Sequence, residues 1–319
     1  MAYAIETLTK GGGDDCHYQF LAALKTLAEN NGWTALRYDT STDNHELSLK
    51  SQGLSGTEEI YVGFQTYQSI AADYYNILCA TFIGFESALP FLNQPGAKFS
   101  GCPAHNNAIT YFVVCNAQRI AACLKVGTPV YEHFYVGKFF PYARPSEYPA
   151  PLVCASMFNG AETKRFDDTS QYFPYHGYYR SNQVRLYVRD RSGAYGNVWC
   201  YPFTNKNSGS NALGYSQGNN CMVPAGSYYQ LEPIIMSTYD SSADPSNIFG
   251  ELDQIFFCSG FNNNVENVVQ MGGSSVFDQT GKTVKESVQG INGVGGRAFV
   301  MLQNVYRTAW QDFIAMEMK

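Results

Sequence analysis

Five histidines, at positions 17, 45, 105, 133 and 176, are the first residues to weigh for chemistry, because imidazole readily moves a proton or holds a metal near neutral pH. None falls in an HExxH or H-x3-H spacing, so no pair is set on one helix face for zinc. Cys102 and His105 make a single C-x2-H fragment, which without a second pair at finger spacing reads as a turn. Carboxylates fall close together at Glu58 and Glu59, at Asp167 and Asp168, and at Glu251 with Asp253. Two suitably separated acids can cleave a glycosidic bond, but that separation is set by the fold, and neighbouring acids ordinarily cap turns or face water. In GINGVGGRAFV the glycines Gly293, Gly295 and Gly296 precede a strand-like run instead of following one and opening a helix, so they make no phosphate loop. No GxSxG elbow and no Walker spacing occurs. No catalytic, cofactor-binding or metal-binding residue is expected, and the chain reads as a non-enzyme.

What abounds instead is contact chemistry. Aromatic residues reach 15%, carried by 24 Tyr and 21 Phe, while charged residues are also only 15%, well below the roughly 25% of ordinary soluble domains. A surface poor in charge and rich in stiff, amphipathic tyrosine suits contact with neighbouring proteins. Two stretches concentrate this character. FFPYARPSEYPAP, residues 139–151, holds Pro141, Pro145, Pro149 and Pro151 with Tyr142 and Tyr148 among them. Proline fixes φ and removes a donor, so the segment is extended or turning. QYFPYHGYYR, residues 171–180, offers Tyr175, Tyr178 and Tyr179 as further interface candidates, or as a stacking face for a host glycan.

The elements that must carry these residues are legible from period and punctuation. DDCHYQFLAALKTLAENNGW predicts a helix capped by Asp14 or Asp15, with Phe20, Leu24 and Leu27 on one face and Gly32 as its stop. Gly11, Gly12 and Gly13 before it separate an N-terminal arm able to reach a neighbouring subunit. After it the period falls to two, and ITYFVVCNAQRIAACLKV predicts strands over 109–115 and 119–126 joined by a turn at 116–118. The polar loop 204–220 is too long for a hairpin and too polar for core, and reads as either an exposed contact loop or a mobile one. The expected fold is α+β, predominantly β: an N-terminal helix plus antiparallel sheet, followed by a second β-rich, sandwich-like region. The expected divisions are an arm over 1–13, an α+β domain over 14–152 ending in the proline strap, and a β-rich domain over 153–319.

A net charge of −6 with pI near 5.4 gives no basic field for direct contact with nucleic acid. No basic segment leads an apolar run at the start, and no run of about 18 apolar residues occurs, so neither a standard export signal nor a membrane span is expected. Nine cysteines, an odd number without repeated spacing, read as free thiols, with Cys79, Cys115, Cys123, Cys154 and Cys258 in strand-like apolar runs.

LSGTEEIYVGFQTYQS at 54–69, YEHFYVGKFFPYARPSEYPAPLV at 131–153, SNIFGELDQIFFCSGFNN at 246–263 and VMLQNVYRTAWQDFIAMEM at 300–318 together resemble a family of virion structural proteins of tailed bacteriophages, encoded among tail and baseplate genes. The resemblance spans most of 45–155 and 245–318, and matches less well over 160–230. It implies a non-enzymatic structural subunit of the virion, assembled in the host cytoplasm, in the tail or baseplate. Its implied partners are other tail, baseplate or neck proteins and further copies of itself. A neck or collar subunit and a glycan-binding tail protein are the alternatives.

Overall fold

The structure is a computed structural model. It describes residues 2–11, 13–126, 130–141, 152–159, 164–168, 174–175, 186–189, 195–197, 199–202, 230–237, 248–259, 277–278, 283–284, 299–303, 305–306 and 313–318. The chain opens with β1 (Ala2–Leu8) and α1 (Cys16–Glu29), followed by β2 (Trp33–Asp39), β3 (Glu46–Ser51), β4 (Ile60–Ser69), β5 (Tyr74–Phe82) and β6 (Lys98–Ala104). Then come β7 (Ile109–Asn116), β8 (Arg119–Val126), β9 (Tyr131–Lys138), β10 (Phe140–Pro141), β11 (Leu152–Ala155) and β12 (Phe158–Asn159). The remainder supplies β13 (Leu186–Arg189), β14 (Tyr195–Asn197), β15 (Trp199–Pro202), β16 (Gln230–Ser237), β17 (Ile248–Ser259), β18 (Phe277–Asp278), β19 (Thr283–Val284), β20 (Phe299–Gln303) and β21 (Phe313–Glu317).

These strands form three principal antiparallel sheets. The first, in the order β1-β7-β8-β9-β11-β13-β14, stands between the other two. On one of its faces Tyr111, Val113, Ala122, Phe134 and Val136 pack against α1 and against the second sheet, β12-β6-β5-β4-β3-β2. On its other face Phe112, Val114, Ala121, Tyr131 and Tyr135 pack against Ile255, Val300, Leu302 and Ile314 of the third sheet, β15-β16-β17-β21-β20, to which β10 adds through β17. Burial on both faces explains why the sequence of β7 and β8 reads as nearly continuous apolar runs instead of alternating. Each large side chain fully buried here, such as Phe64 or Phe134, contributes about 1.5–3 kcal/mol to folding.

The helix forms where its signals stand. Asp15 caps it in the extended conformation, and its carbonyl accepts from the amides of Tyr18 and Gln19. The Asp15 carboxylate makes no side-chain cap and pairs with Lys10 Nζ at 2.6 Å instead. Cys16, His17, Phe20, Leu21, Leu24 and Ala28 make the buried stripe, while Leu27 is only partly buried at its margin. Gly32 ends the turn at φ +89°, where a Cβ would also come within 2.9 Å of Ala117 Cβ.

Two expectations change. The arm does not reach away: β1 pairs with β7 of its own chain over seven residues, from Ala2↔Cys115 to Leu8↔Ile109. Its alternating AYAIETL pattern is that of a strand, and Ala4, Leu8 and Ile5 gain contacts on the two core clusters. Second, no sheet ends at residue 152. β11, just past the strap, pairs with β9, and β10, just before the strap, pairs with β17 of the third sheet. The apolar run Leu152–Ala155 belongs to the same buried sheet as β9.

Among the described residues Cys16, Cys79, Cys102, Cys115, Cys123 and Cys154 are free and buried. Among the described residues no helix is long and apolar enough to cross a membrane.

Candidate functional site

The backbone where the proline-rich segment begins is held from several sides. Phe139 is fully buried in the core shared by the first and third sheets, while Phe140 beside it is 54% exposed. Phe140 and Pro141 lie opposite Glu251 and Gly250 of β17. The fit is tight enough to need a glycine, since a Cβ on Gly250 would lie 2.1 Å from the Phe140 carbonyl oxygen.

An ion network fastens this corner. Lys138 Nζ pairs with the Glu58 carboxylate, and Gln118 Nε2 donates to the other Glu58 oxygen at 3.1 Å. Arg119, only 3% exposed, donates from Nη2 to Gln118 Oε1 at 3.0 Å and from Nε to the Lys138 carbonyl at 2.9 Å, and pairs through Nη1 with Asp253. Tyr135 OH also donates to the Lys138 carbonyl, at 3.0 Å. Two cations and two carboxylates thus balance, and the β7–β8 turn, the end of β9, the β3–β4 loop and β17 are tied in one place. The arrangement positions backbone; among these groups no carboxylate stands without a cation to act as a base.

Burial pushes the Glu58 carboxyl up, but the hydrogen bonds from Lys138 and Gln118, with the charges of Lys138 and Arg119, outweigh it and leave the pKa lowered from 4.5. A carboxyl lowered on folding stabilises the fold above its unfolded pKa, and that contribution fades as pH falls through the folded value. Glu58→Gln should therefore cost about 1 kcal/mol at pH 7. The gap between denaturant titrations of the two proteins should narrow as pH falls below 4.5; a pH-independent gap would mean that the charge of Glu58 plays no part.

Three of the other acids expected as possible pairs are also engaged with cations. Glu59 meets Lys50 at 2.7 Å, Asp168 meets Lys164 at 3.3 Å, and Asp167 pairs with Arg165. Cys102 is buried and its thiol faces the Pro103 carbonyl, and His105 rests edge-on against Phe166, with ring centroids 4.9 Å apart. Among the described residues no group of three or more His, Cys, Asp or Glu could hold a metal.

Of the interface candidates, Pro141 lies at the corner just described. Tyr175 corrects its expectation: it is fully buried in its own chain, with its ring edge-on to His133 at 5.8 Å between centroids, because it fills the core between the first and third sheets. Tyr142, Pro145, Tyr148, Pro149, Tyr178 and Tyr179, together with Gly12, His176 and loop 204–220, lie outside the described residues.

Sequence spacing does not reveal a second constellation. His17, His45 and His105 gather with Tyr18 and Tyr75 at one end of α1. Tyr18 stacks on His45 at 4.0 Å and on His17 at 4.0 Å, and Tyr75 bridges His17 and His105 at 5.2 and 5.9 Å. His17 is fully buried and shares a 2.7 Å hydrogen bond with Gln68 Oε1; burial holds its pKa down to about 4, although Gln68 and Asp15 act to raise it. Burial also lowers His45 and His105. His17 opening a helix is the one local sign of this cluster.

With the geometry in hand, the class defined is an α+β protein, predominantly β, built of stacked antiparallel sheets with a polar clamp at the root of a proline strap. Comparison of the chain with models of known protein families finds no match, and comparison with curated proteins finds none either.

Proposed function

We propose that the chain is a non-enzymatic structural subunit of a tailed-phage virion, in the tail or baseplate, that works by protein contacts in a symmetric assembly. The observation that carries this reading is convergence. The segments that resemble the phage family lie far apart in sequence, yet Glu58 of the first, Lys138 to Pro141 of the second and Gly250 to Asp253 of the third meet in one clamp. Such a clamp holds the backbone from Lys138 to Pro141, where the proline-rich segment begins. A segment stiffened by proline loses little entropy on docking, which favours repeated binding to identical neighbours.

An epitope-tagged copy imaged by immunogold on purified particles tests the proposal. Label in a ring at the distal end of the tail is the expected result. Label at the head–tail junction would move the subunit to the neck or collar, and intact particles without label would overturn the structural reading.

A further inference from the structure

The outer edge of β1 is the longest unguarded sheet edge among the described residues. Natural edges are blunted by proline, lysine, bulges or brevity. β2, at an edge of the second sheet, shows these devices: its register shifts between Ala35 and Arg37, and Arg37 pairs with Glu46 at 2.9 Å. β12 has two residues, β14 three and β15 four. β1 has seven, contains no Pro, Lys or Arg, and pairs with β7 without a shift. None of its residues is buried, and Tyr3 is 54% exposed.

We infer that β1 pairs antiparallel with β1 of a second copy of this chain, joining two seven-stranded sheets into one across a two-fold axis. The strand is complementary to itself. With Ile5 on the axis, Ala2 faces Leu8, Tyr3 faces Thr7 and Ala4 faces Glu6 of the other copy. No like charges stand directly opposite. The two Glu6 side chains are diagonal neighbours, with Cβ atoms about 7–8 Å apart, and each carboxylate already accepts a 2.7 Å hydrogen bond from Tyr111 OH. Backbone hydrogen bonds supply the attachment, and the odd-numbered side chains supply the specificity. The choice of a second copy rests partly on the symmetric-subunit reading above.

Sedimentation equilibrium over a range of concentrations tests the pairing, with folding checked by circular dichroism. The unaltered protein should dimerise. Tyr3→Lys with Thr7→Lys sets like charges opposite one another twice and should weaken the dimer at least about tenfold, whereas Tyr3→Lys with Thr7→Glu sets opposite charges there and should restore it to within a few-fold. A monomeric unaltered protein, or two double variants that associate alike, overturns the inference. Should a variant fail to fold, hydrogen exchange of the unaltered protein decides: the alternate amides of residues 2–8 that point away from β7 must lose protection on dilution, and concentration-independent protection of those amides sinks the pairing. Particles that carry the label while association ignores positions 3 and 7 would remove this interface and leave the virion reading standing. A charge-sensitive dimer absent from particles would do the reverse.

Discussion

On acidification from pH 7 to pH 4 the protein should lose about 6 kcal/mol of stability through two buried histidines. His17 and His133 are each fully buried with pKa held down to about 4, in both cases chiefly because burial disfavours the charged ring. His133 Nε2 lies 2.8 Å from the Gln303 carbonyl, which makes Nε2 the donor; that bond acts to raise the pKa and is outweighed by burial. A histidine whose pKa falls from 6.5 to about 4 on folding stabilises the native state fully above 6.5 and loses that contribution as pH drops. At pH 4 the loss is about 3 kcal/mol for each ring. Urea titrations from pH 7 to pH 4 check this. His17→Phe and His133→Phe each give up a hydrogen bond, about 1 kcal/mol at pH 7, but each should remove roughly half of the pH dependence attributed to the pair. An unchanged slope in both variants would show that acid lability arises elsewhere.

Gly137→Ala should destabilise the protein by about 4 kcal/mol, combining backbone strain with overpacking. Gly137 adopts φ +111°, and a Cβ there would stand 2.4 Å from the Gln118 carbonyl oxygen and 2.8 Å from Arg119 Cα. Those atoms belong to backbone and cannot swing aside. The close approach is what lets the Lys138 amide donate to Gln118 O at 2.8 Å and the Arg119 guanidinium reach Lys138 O, so the substitution pries open the clamp at the root of the strap. Gly11→Ala serves as the control, since nothing lies within 4 Å of a Cβ there and the change should stay within about 0.5 kcal/mol. Thermal melts separate the two outcomes; equal melting temperatures for both variants would mean that the β9 corner tolerates a side chain.

Much of the fold was legible. α1 spans Cys16–Glu29 within the window set by Asp15 and Gly32, and the β7–β8 hairpin falls at 109–116 and 119–126, one residue longer than its apolar run suggested. Helical period, glycine stops and turn residues are local signals, so they survive without knowledge of partners. The division at 152 was less legible, because prolines mark where the backbone leaves a ladder and not where a sheet ends.

By itself the sequence determined the secondary-structure class, the long helix at Cys16–Glu29, the free-thiol character of the buried cysteines and the low-charge, tyrosine-rich composition, all of which follow from residue content and short-range pattern. Only the tertiary structure decided that the first sheet is buried on both faces, that residues 2–8 fold back as its edge strand, that Tyr175 lies in the core, and that Glu58, Lys138, Arg119 and Asp253 meet. The reason is sequence distance. Strand pairing and side-chain networks join residues 80 to 134 positions apart in the clamp, and no local period encodes which distant strand a given strand will find.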